Sequence, residues 1–399
     1  TKTRPHRKKK TPPRRTQTGN RRLTHLPDLQ PQTPAKSETQ HRKSISKACN
    51  QNISDGAYKN TSAQPQDPQS DKKHPTVKAR YPETPMDRTT EHLVALAGCP
   101  VRSEKPYPEF PYDPGTAYPE FPQARTGPAN PVYHALRRSL YLLGLDRQNF
   151  DTPAWNPLGR FVSPGQQVLI KPNWVYHDNP GGSFDCLVTH TSVLRALIDY
   201  VLLALKNHGR VIIGDAPIQS ADFQQLTQRT GVRRLLESLP RCGVDIEVRD
   251  FRQNVCELDR RGHVIGHRLL AGDPDGYRTV DLGRESFLAP IAHHSRRFRV
   301  TNYDPTVMRA HHNAQRHEYL IAQAVLNSHA VINVPKLKTH RKAALTCCLK
   351  NLVGINGSKD YLPHHRLGAL CQGGDEYQWP NCWKALASRL LDLLESSPR

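Results

Sequence analysis

Three short apolar runs in this chain end alike, at a charged residue beside a proline. Val168-Leu169-Ile170 gives way to Lys171-Pro172-Asn173, Val211-Ile212-Ile213 to Gly214-Asp215-Ala216-Pro217, and the run from Ala330 to Val334 to Pro335-Lys336. Proline removes a ladder donor, so a buried strand stops there. Helical periodicity separates the first two runs: Leu194, Leu197, Ile198, Val201, Leu202 and Leu205 recur at intervals of three and four, and Gly209 stands as a C-terminal stop. The chain therefore reads as a strand at 167–170, a helix from about 192 to 207, a strand at 211–213, a helix near 223–239 and a strand at 245–248. This alternation predicts an α/β fold, a mainly parallel sheet with helices on both faces.

In an open sheet of this kind the carboxyl ends of the strands share one edge, and ligands bind in the crevice beside them. Lys171, Asp215 and Lys336 are therefore expected to converge, with Asn173 and Asn333 adding amide donors. Beyond the strand at 330–334 the chain carries Lys336, Lys338 and His340, then a helix expected from Ala343 to Val353 and ended by Gly354. The free N–H groups at the start of that helix would face the same crevice. Along it Lys342, Thr346 and Lys350 are spaced by four, opposite Leu345, Leu349 and Leu352, and Asn351 and Lys359 follow. The expected ligand is a phosphorylated or carboxylated small molecule or sugar derivative. The bland alternative is that these lysines only solvate the outer face of a surface helix.

Asp215, His190 and His340 are the acid–base candidates. His190 precedes the first crossover helix, where the helix N-terminus disfavours an imidazolium and Thr191 is the expected cap. Histidines also occur as pairs. His312 and His317 stand five apart, not at the spacing of four that places two zinc ligands on one helix face. His364 and His365, with Asp215, are candidates for a divalent metal, against a hydrogen-bonded structural role. No CxxC occurs, so an iron–sulfur cluster is not expected from this chain alone, and Cys347-Cys348 read as helix packing. The phosphate loops GxGxxG and GxxxxGK[ST] are both absent. Nine cysteines, an odd number without paired spacing, argue for reduced thiols and a cytoplasmic location. No apolar run reaches the roughly 20 residues of a membrane span.

The flanks read differently. Residues 1–85 hold 19 of the 57 Lys/Arg and 6 of the 36 Asp/Glu, with Tyr58 and Tyr81 as the only aromatics. A segment so poor in apolar side chains cannot offset its ordering entropy, so a disordered, dispensable basic tail is expected, carrying most of the net charge of +21. Nucleic acid is a partner only through that tail. Residues 86–130 read as a proline-rich extended strap on the domain surface, in which YPEFP occurs twice, at Tyr107 to Pro111 and Tyr118 to Pro122, with the rings as anchors. Residues 131–399 form the α/β domain: a helix from Pro131 to Leu145, an antiparallel insertion near 255–300, a helix from about His317 to Asn327, and an amphipathic helix from Trp383 to Leu394 whose apolar face needs a partner.

Several ordered segments carry a resemblance. VLIKPNW at 168–174, THTSVLRALIDYV at 189–201, VIIGDAPIQ at 211–219, INVPKLKTH at 332–340, LTCCLKNLVGINGSKDYLPHHR at 345–366 and GGDEY at 373–377 resemble the domain of unknown function 362 family over roughly residues 107–379. The matching positions are Lys171, Asn173, His190, Asp215, Lys336, Lys338, His340, Lys350, Asn351, Lys359, His364 and His365. Some members of that family carry ferredoxin-like modules; this chain resembles those without one. The resemblance implies no catalytic role for any position. The reading that results is an enzyme acting on an anionic small molecule, with a non-catalytic anion or nucleic-acid binder and an iron–sulfur-associated redox protein as alternatives.

Overall fold

The structure is a computed structural model that describes residues 94–98, 107–122, 127–240, 243–259, 264–300, 303–340 and 342–395. The expectations for residues 1–85 lie outside these. Helix α1 (Pro131–Leu142) precedes strand β1 (Gln167–Pro172), and α2 (Thr191–Leu205) connects β1 to β2 (Gly209–Asp215). Two helices, α3 (Phe223–Thr230) and α4 (Val232–Ser238), then lead to β3 (Val244–Asp250). The continuous helix expected over 223–239 is broken at Gly231, whose φ of 72° is open to glycine but strained for other residues. β1 pairs with β2 in parallel, Val168 beside Val211 and Ile170 beside Ile213, and β2 pairs with β3 out to Asp215 beside Asp250.

The insertion is antiparallel, as expected, but longer than expected. Strands β4 (Asn254–Leu258) and β5 (Val264–Leu269) form a hairpin. β6 (Tyr277–Asp281) is followed by the short β7 (Phe298–Arg299), helix α5 (Pro305–His311) and β8 (Glu318–Ala322), which pairs with β6. The helix expected from about His317 to Asn327 is strand over Glu318–Ala322, and only its second half, α6 (Gln323–Asn327), is helical. Pairing of residues 277–281 with 318–322 satisfies that backbone across strands, and this contact overrides the local apolar spacing.

β9 (Ala330–Val334) then returns to the sheet on the free side of β1, Val168 beside Ala330 and Lys171 beside Asn333, giving the order β3-β2-β1-β9. The chain moves outward through β2 and β3 and comes back to the other side of β1. The carboxyl ends of β1 and β9 therefore flank a point where the strand order reverses, the place where crevices open in such sheets.

Alternate residues of the central strands face two cores. Val168, Ile170, Val211 and Ile213 pack with α1, α2 and α4, and Leu169 and Ile212 pack with Ala216, Phe251, Ala322 and Ala324. Each such side chain, fully removed from water, contributes about 1.5–3 kcal/mol, so the edge that carries the site rests on the most stable part of the molecule. Gly214 lets Phe251 lie against β2: a Cβ there would stand 2.1 Å from the ring.

The stretch after β9 departs most from expectation. β10 (Lys338–His340) and β11 (Ala344–Thr346) form an antiparallel hairpin, with Ala344 at φ 57° opening β11 opposite His340. Only α7 (Cys348–Asn351) is α-helical, continued by a 3-10 turn at Leu352–Ile355. The helix start expected at Ala343 does not exist, and Lys342, Thr346 and Lys350 do not share a helix face. β12 (His365–Arg366) pairs with β7. The last helix, α8 (Cys382–Glu395), docks by its polar side: Asp392 takes both arms of the Arg299 guanidinium at 2.8 and 2.7 Å, and Ser388 donates to Glu376 at 2.7 Å. Trp383, Leu386, Leu390 and Leu391 stay exposed on it.

The described part of the strap is built into the domain. In the second YPEFP copy Glu120 is buried against Arg137, with contacts of 2.7 and 3.0 Å, and accepts the Tyr200 hydroxyl at 2.9 Å. Tyr118 and Phe121 pack on Tyr133.

Candidate functional site

A cleft of about 360 Å³ opens at the carboxyl edge of the sheet. Its walls come from the three strand exits and from the segment after β9: Asn173 beyond β1, Asp215 to Ile218 at the end of β2, Lys336 and Lys338 to His340 beyond β9, and Thr346, Cys347, Lys350, Asn351, Gly354, Lys359 and His364 farther on. The sequence-predicted residues Asn173, Asp215, Lys336, Lys338, His340, Lys350, Asn351, Lys359 and His364 thus meet in one place. Lys171, His190 and His365 are not among the lining residues.

Lys171 lies beneath the floor, fully buried. Its Nζ donates to Asp215 Oδ1 at 2.6 Å, to the Pro172 carbonyl at 2.7 Å and to Asn351 Oδ1 at 3.2 Å. Asp215 Oδ2 accepts the Trp174 N–H at 2.6 Å. Burial drives the Lys171 ammonium down and the Asp215 carboxyl up, each toward its neutral form, and their mutual attraction opposes both shifts. Asn351 ties the pair to β9, donating to the Lys171 carbonyl at 3.0 Å and to Asn333 Oδ1 at 2.7 Å. Gly354 seals the other side: a Cβ there would lie 1.9 Å from Asp215 Oδ1 and 2.7 Å from Lys171 Nζ. Each Asp215 oxygen thus has a donor, Lys171 Nζ on Oδ1 and the Trp174 N–H on Oδ2, and the pair holds the strand exits together.

The lysines above the floor are differently placed. Lys338 Nζ donates to Asn173 Oδ1 and, at 2.8 Å, to the Leu187 carbonyl. Lys359 is buried and reaches the Ala216 carbonyl at 3.3 Å. Burial, reinforced by neighbouring cations, pushes each of these two ammonium groups down to about 8, against the pull of Asp215. Lys336 donates to the Tyr107 hydroxyl at 2.7 Å, so the first YPEFP copy contributes to the cleft rim. None of Lys336, Lys338, Lys350 and Lys359 forms an ion pair among the described residues. The lining therefore carries four ammonium side chains against one carboxylate, and Lys171 already occupies that carboxylate.

The histidines separate into distinct roles. His190, not Thr191, caps α2: its Nδ1 accepts the Ser192 N–H at 3.2 Å, which leaves the proton on Nε2. Tyr107 stacks on the ring at 4.0 Å between centroids. Burial lowers the basicity of His190 further. His340 Nδ1 accepts the N–H groups of Lys342 and Ala343 at 3.2 and 3.1 Å and so shapes the hairpin turn. His364 opens to the cleft. A carbonyl only accepts, so the 2.6 Å contact with Leu362 places the ring proton on Nδ1 and leaves Nε2 a lone pair. Its crowded setting and the nearby Lys350 and Lys359 push it down to about 4, so it is neutral at pH 7. Among the described residues no three His, Cys, Asp or Glu side chains come together as a metal site would. His365 lies on β12, away from the lining that holds His364.

Sequence reasoning missed Tyr107, Gly354 and the Leu187 carbonyl. The repeated YPEFP is a signal for the first, and Gly354, which in sequence reads as a helix stop, marks the close approach of backbone to the buried pair.

Comparison with known proteins places these features in context. A family model described as "Domain of unknown function (DUF362)" matches residues 168–273 and 275–396. A thylakoid-associated protein of Synechocystis sp. is 26% identical over 197 residues, which cover 49% of this chain and 41% of that protein. This chain thus matches less than half of that relative's length. No solved structure matches. No helix among the described residues is long and apolar enough to cross a membrane.

Proposed function

The chain belongs to the domain of unknown function 362 family, and from that premise we propose that its cleft binds the phosphoryl or carboxyl group of a small molecule or sugar derivative and acts on it. One observation carries the reading: Lys336, Lys338, Lys350 and Lys359 line a cleft in which the single carboxylate is already paired to Lys171. Half-buried ammonium groups without counter-charges are costly, and an anion relieves that cost while replacing their lost hydration with charge-assisted hydrogen bonds. Asn173 positions Lys338. His364, with its Nε2 lone pair, is the group that can take a proton from a bound ligand. Asp215, His190 and His340, the acid–base candidates named from the sequence, are assigned to the scaffold: Asp215 pairs with Lys171, His190 caps α2 and His340 holds the hairpin turn. The free thiols of Cys186, Cys256, Cys347, Cys348, Cys371 and Cys382 fit a reducing compartment such as the cytoplasm.

Thermal stabilisation of the purified chain by inorganic phosphate and by sugar phosphates tests the binding. Stabilisation that rises with concentration, is lost in Lys338→Met/Lys350→Met and survives in Lys384→Met on α8 supports the cleft. An unchanged response in the double variant sinks it. Retained binding in His364→Asn with loss of turnover would assign the proton transfer to that ring.

A further inference from the structure

Cys347 and Cys348 stand where β11 passes into α7, and Cys347 lines the cleft. Their Sγ atoms are 3.8 Å apart and both side chains are exposed. Neither packs a helix interior, the role expected for them, because the helix begins only at Cys348. Two accessible thiols in contact form a pair whose ordinary reaction is exchange with a disulfide. An S–S bond of about 2.05 Å requires the two sulfurs to approach by roughly 1.8 Å, a movement that rotation about the Cα–Cβ bonds and adjustment of the intervening peptide can share.

The backbone that would adjust is wired to the site. Asn351 N–H donates to the Cys347 carbonyl at 3.0 Å, and Asn333 Nδ2 donates to the Cys348 carbonyl at 2.9 Å. Asn351 is the residue that contacts Lys171, and Lys350 is the cleft lysine on the same turn. A ring closed between adjacent residues at the start of α7 therefore displaces Lys350 and loosens the hold of Asn351.

We propose that Cys347 and Cys348 are a redox pair that closes to a disulfide between adjacent residues on meeting a low-molecular-weight disulfide, and that closure weakens anion binding in the cleft. The second half rests on the reading of the cleft as an anion site. The chemistry balances with that disulfide as the oxidant. The Cys347 thiol loses its proton and its thiolate attacks one sulfur of R–S–S–R, forming Cys347–S–S–R and releasing R–S⁻, which takes up a proton. The Cys348 thiolate then attacks Cys347 Sγ, forms the intramolecular bond and releases the second R–S⁻. Two protein thiols are oxidised, one small disulfide is reduced to two thiols, and the protein loses two hydrogen atoms.

The test uses the full chain and oxidised glutathione. Trypsin cuts after Lys342 and Lys350, so residues 343–350 form a peptide that contains both cysteines and no other. Its mass is expected to fall by two hydrogens without a glutathione adduct, and dithiothreitol should restore it. Cys348→Ser, lacking the second thiol, should instead retain one glutathione on Cys347. Stable adducts on the unaltered chain, with no internal disulfide, would overturn the pair. The apparent Kd for inorganic phosphate, measured before and after oxidation, should rise roughly tenfold, a coupling of ordinary allosteric size. An unchanged Kd in fully oxidised protein would overturn the coupling. Failure of the reduced protein to bind phosphate would refute the anion reading and the coupling together, while the peptide mass decides the disulfide independently.

Discussion

Replacing Lys171 with Met removes a charge that the fold buries completely while keeping most of the aliphatic stem. The Asp215 carboxylate would then retain the Trp174 N–H as its only direct donor, and Asn351 Oδ1 and the Pro172 carbonyl would each lose a partner. Removing one member of a buried pair strands the other, a loss of about 3–5 kcal/mol. For a domain whose total stability is of order 5–15 kcal/mol this is severe but measurable. Urea unfolding followed by circular dichroism gives the value, and Lys171→Met/Asp215→Asn completes a double-mutant cycle in which about 1–3 kcal/mol should return because the stranded charge is gone. The loss also carries a pH signature. Burial already holds the Asp215 carboxyl above the usual carboxylate range, and losing Lys171 raises it further. A carboxyl whose folded value exceeds its unfolded value binds more protons in the folded state, so the variant is relatively most stable below about pH 4 and loses stability as pH rises through the raised value. A loss under about 1 kcal/mol at pH 7, or one that is flat between pH 4 and 8, would refute the account of this pair as a structural clamp.

Three further outcomes follow from the same geometry. Anion affinity should be fully present below pH 8 and decline as pH rises through it, because Lys338 and Lys359 deprotonate at about 8 in the free protein and only their charged forms attract the ligand; a phosphate titration from pH 6 to 10 checks this. Gly354→Ala should cost about 1–3 kcal/mol and impair phosphate binding, since the added methyl meets Asp215 Oδ1, and unaltered urea unfolding would contradict that packing. His312 is buried with its Nε2–H on the Tyr361 carbonyl at 2.9 Å and is pushed down to about 4, chiefly by burial, so the unfolded chain binds the extra proton. Stability should therefore fall as pH drops from about 6.5 toward 4, and His312→Gln should flatten that slope in unfolding experiments across the range.

The central sheet was legible because its strands are short apolar runs with sharp ends, buried on both faces in β1 and β2 and only partly buried in β9. Residues 168–170, 211–213 and 330–334 are short apolar runs cut off by proline or charge, and they became β1, β2 and β9 within a few residues of their expected limits. The convergence of their exits followed from parallel strands alone. Residues 317–322 and 343–347 were misread as helix because their apolar spacing fits either a helix or a paired strand. Residues 318–322 and 344–346 became strands through partners at 277–281 and 338–340, and the period of a single segment carries no information about a partner. The last helix was placed well along the chain, yet it docks through Ser388 and Asp392 and leaves Leu386, Leu390 and Leu391 exposed, because its polar partners Arg299 and Glu376 lie on distant segments.

Which lysine does what was likewise invisible in the chain. Lys171 and Lys338 both follow apolar runs and carry the same ammonium group, so local pattern and charge place both at the sheet edge. Only the tertiary structure separates them: the Asp215 carboxylate and the Gly354 backbone enclose Lys171, while Lys338 lines the cleft and bonds to Asn173 and the Leu187 carbonyl. Hydrophobic period and proline positions are local properties written along the chain, and they specify the strands, their ends and the edge where a site can form. Burial and counter-charge depend on residues distant in sequence, and they decide that one lysine is locked to a carboxylate beneath the cleft while the other lines the cleft without one.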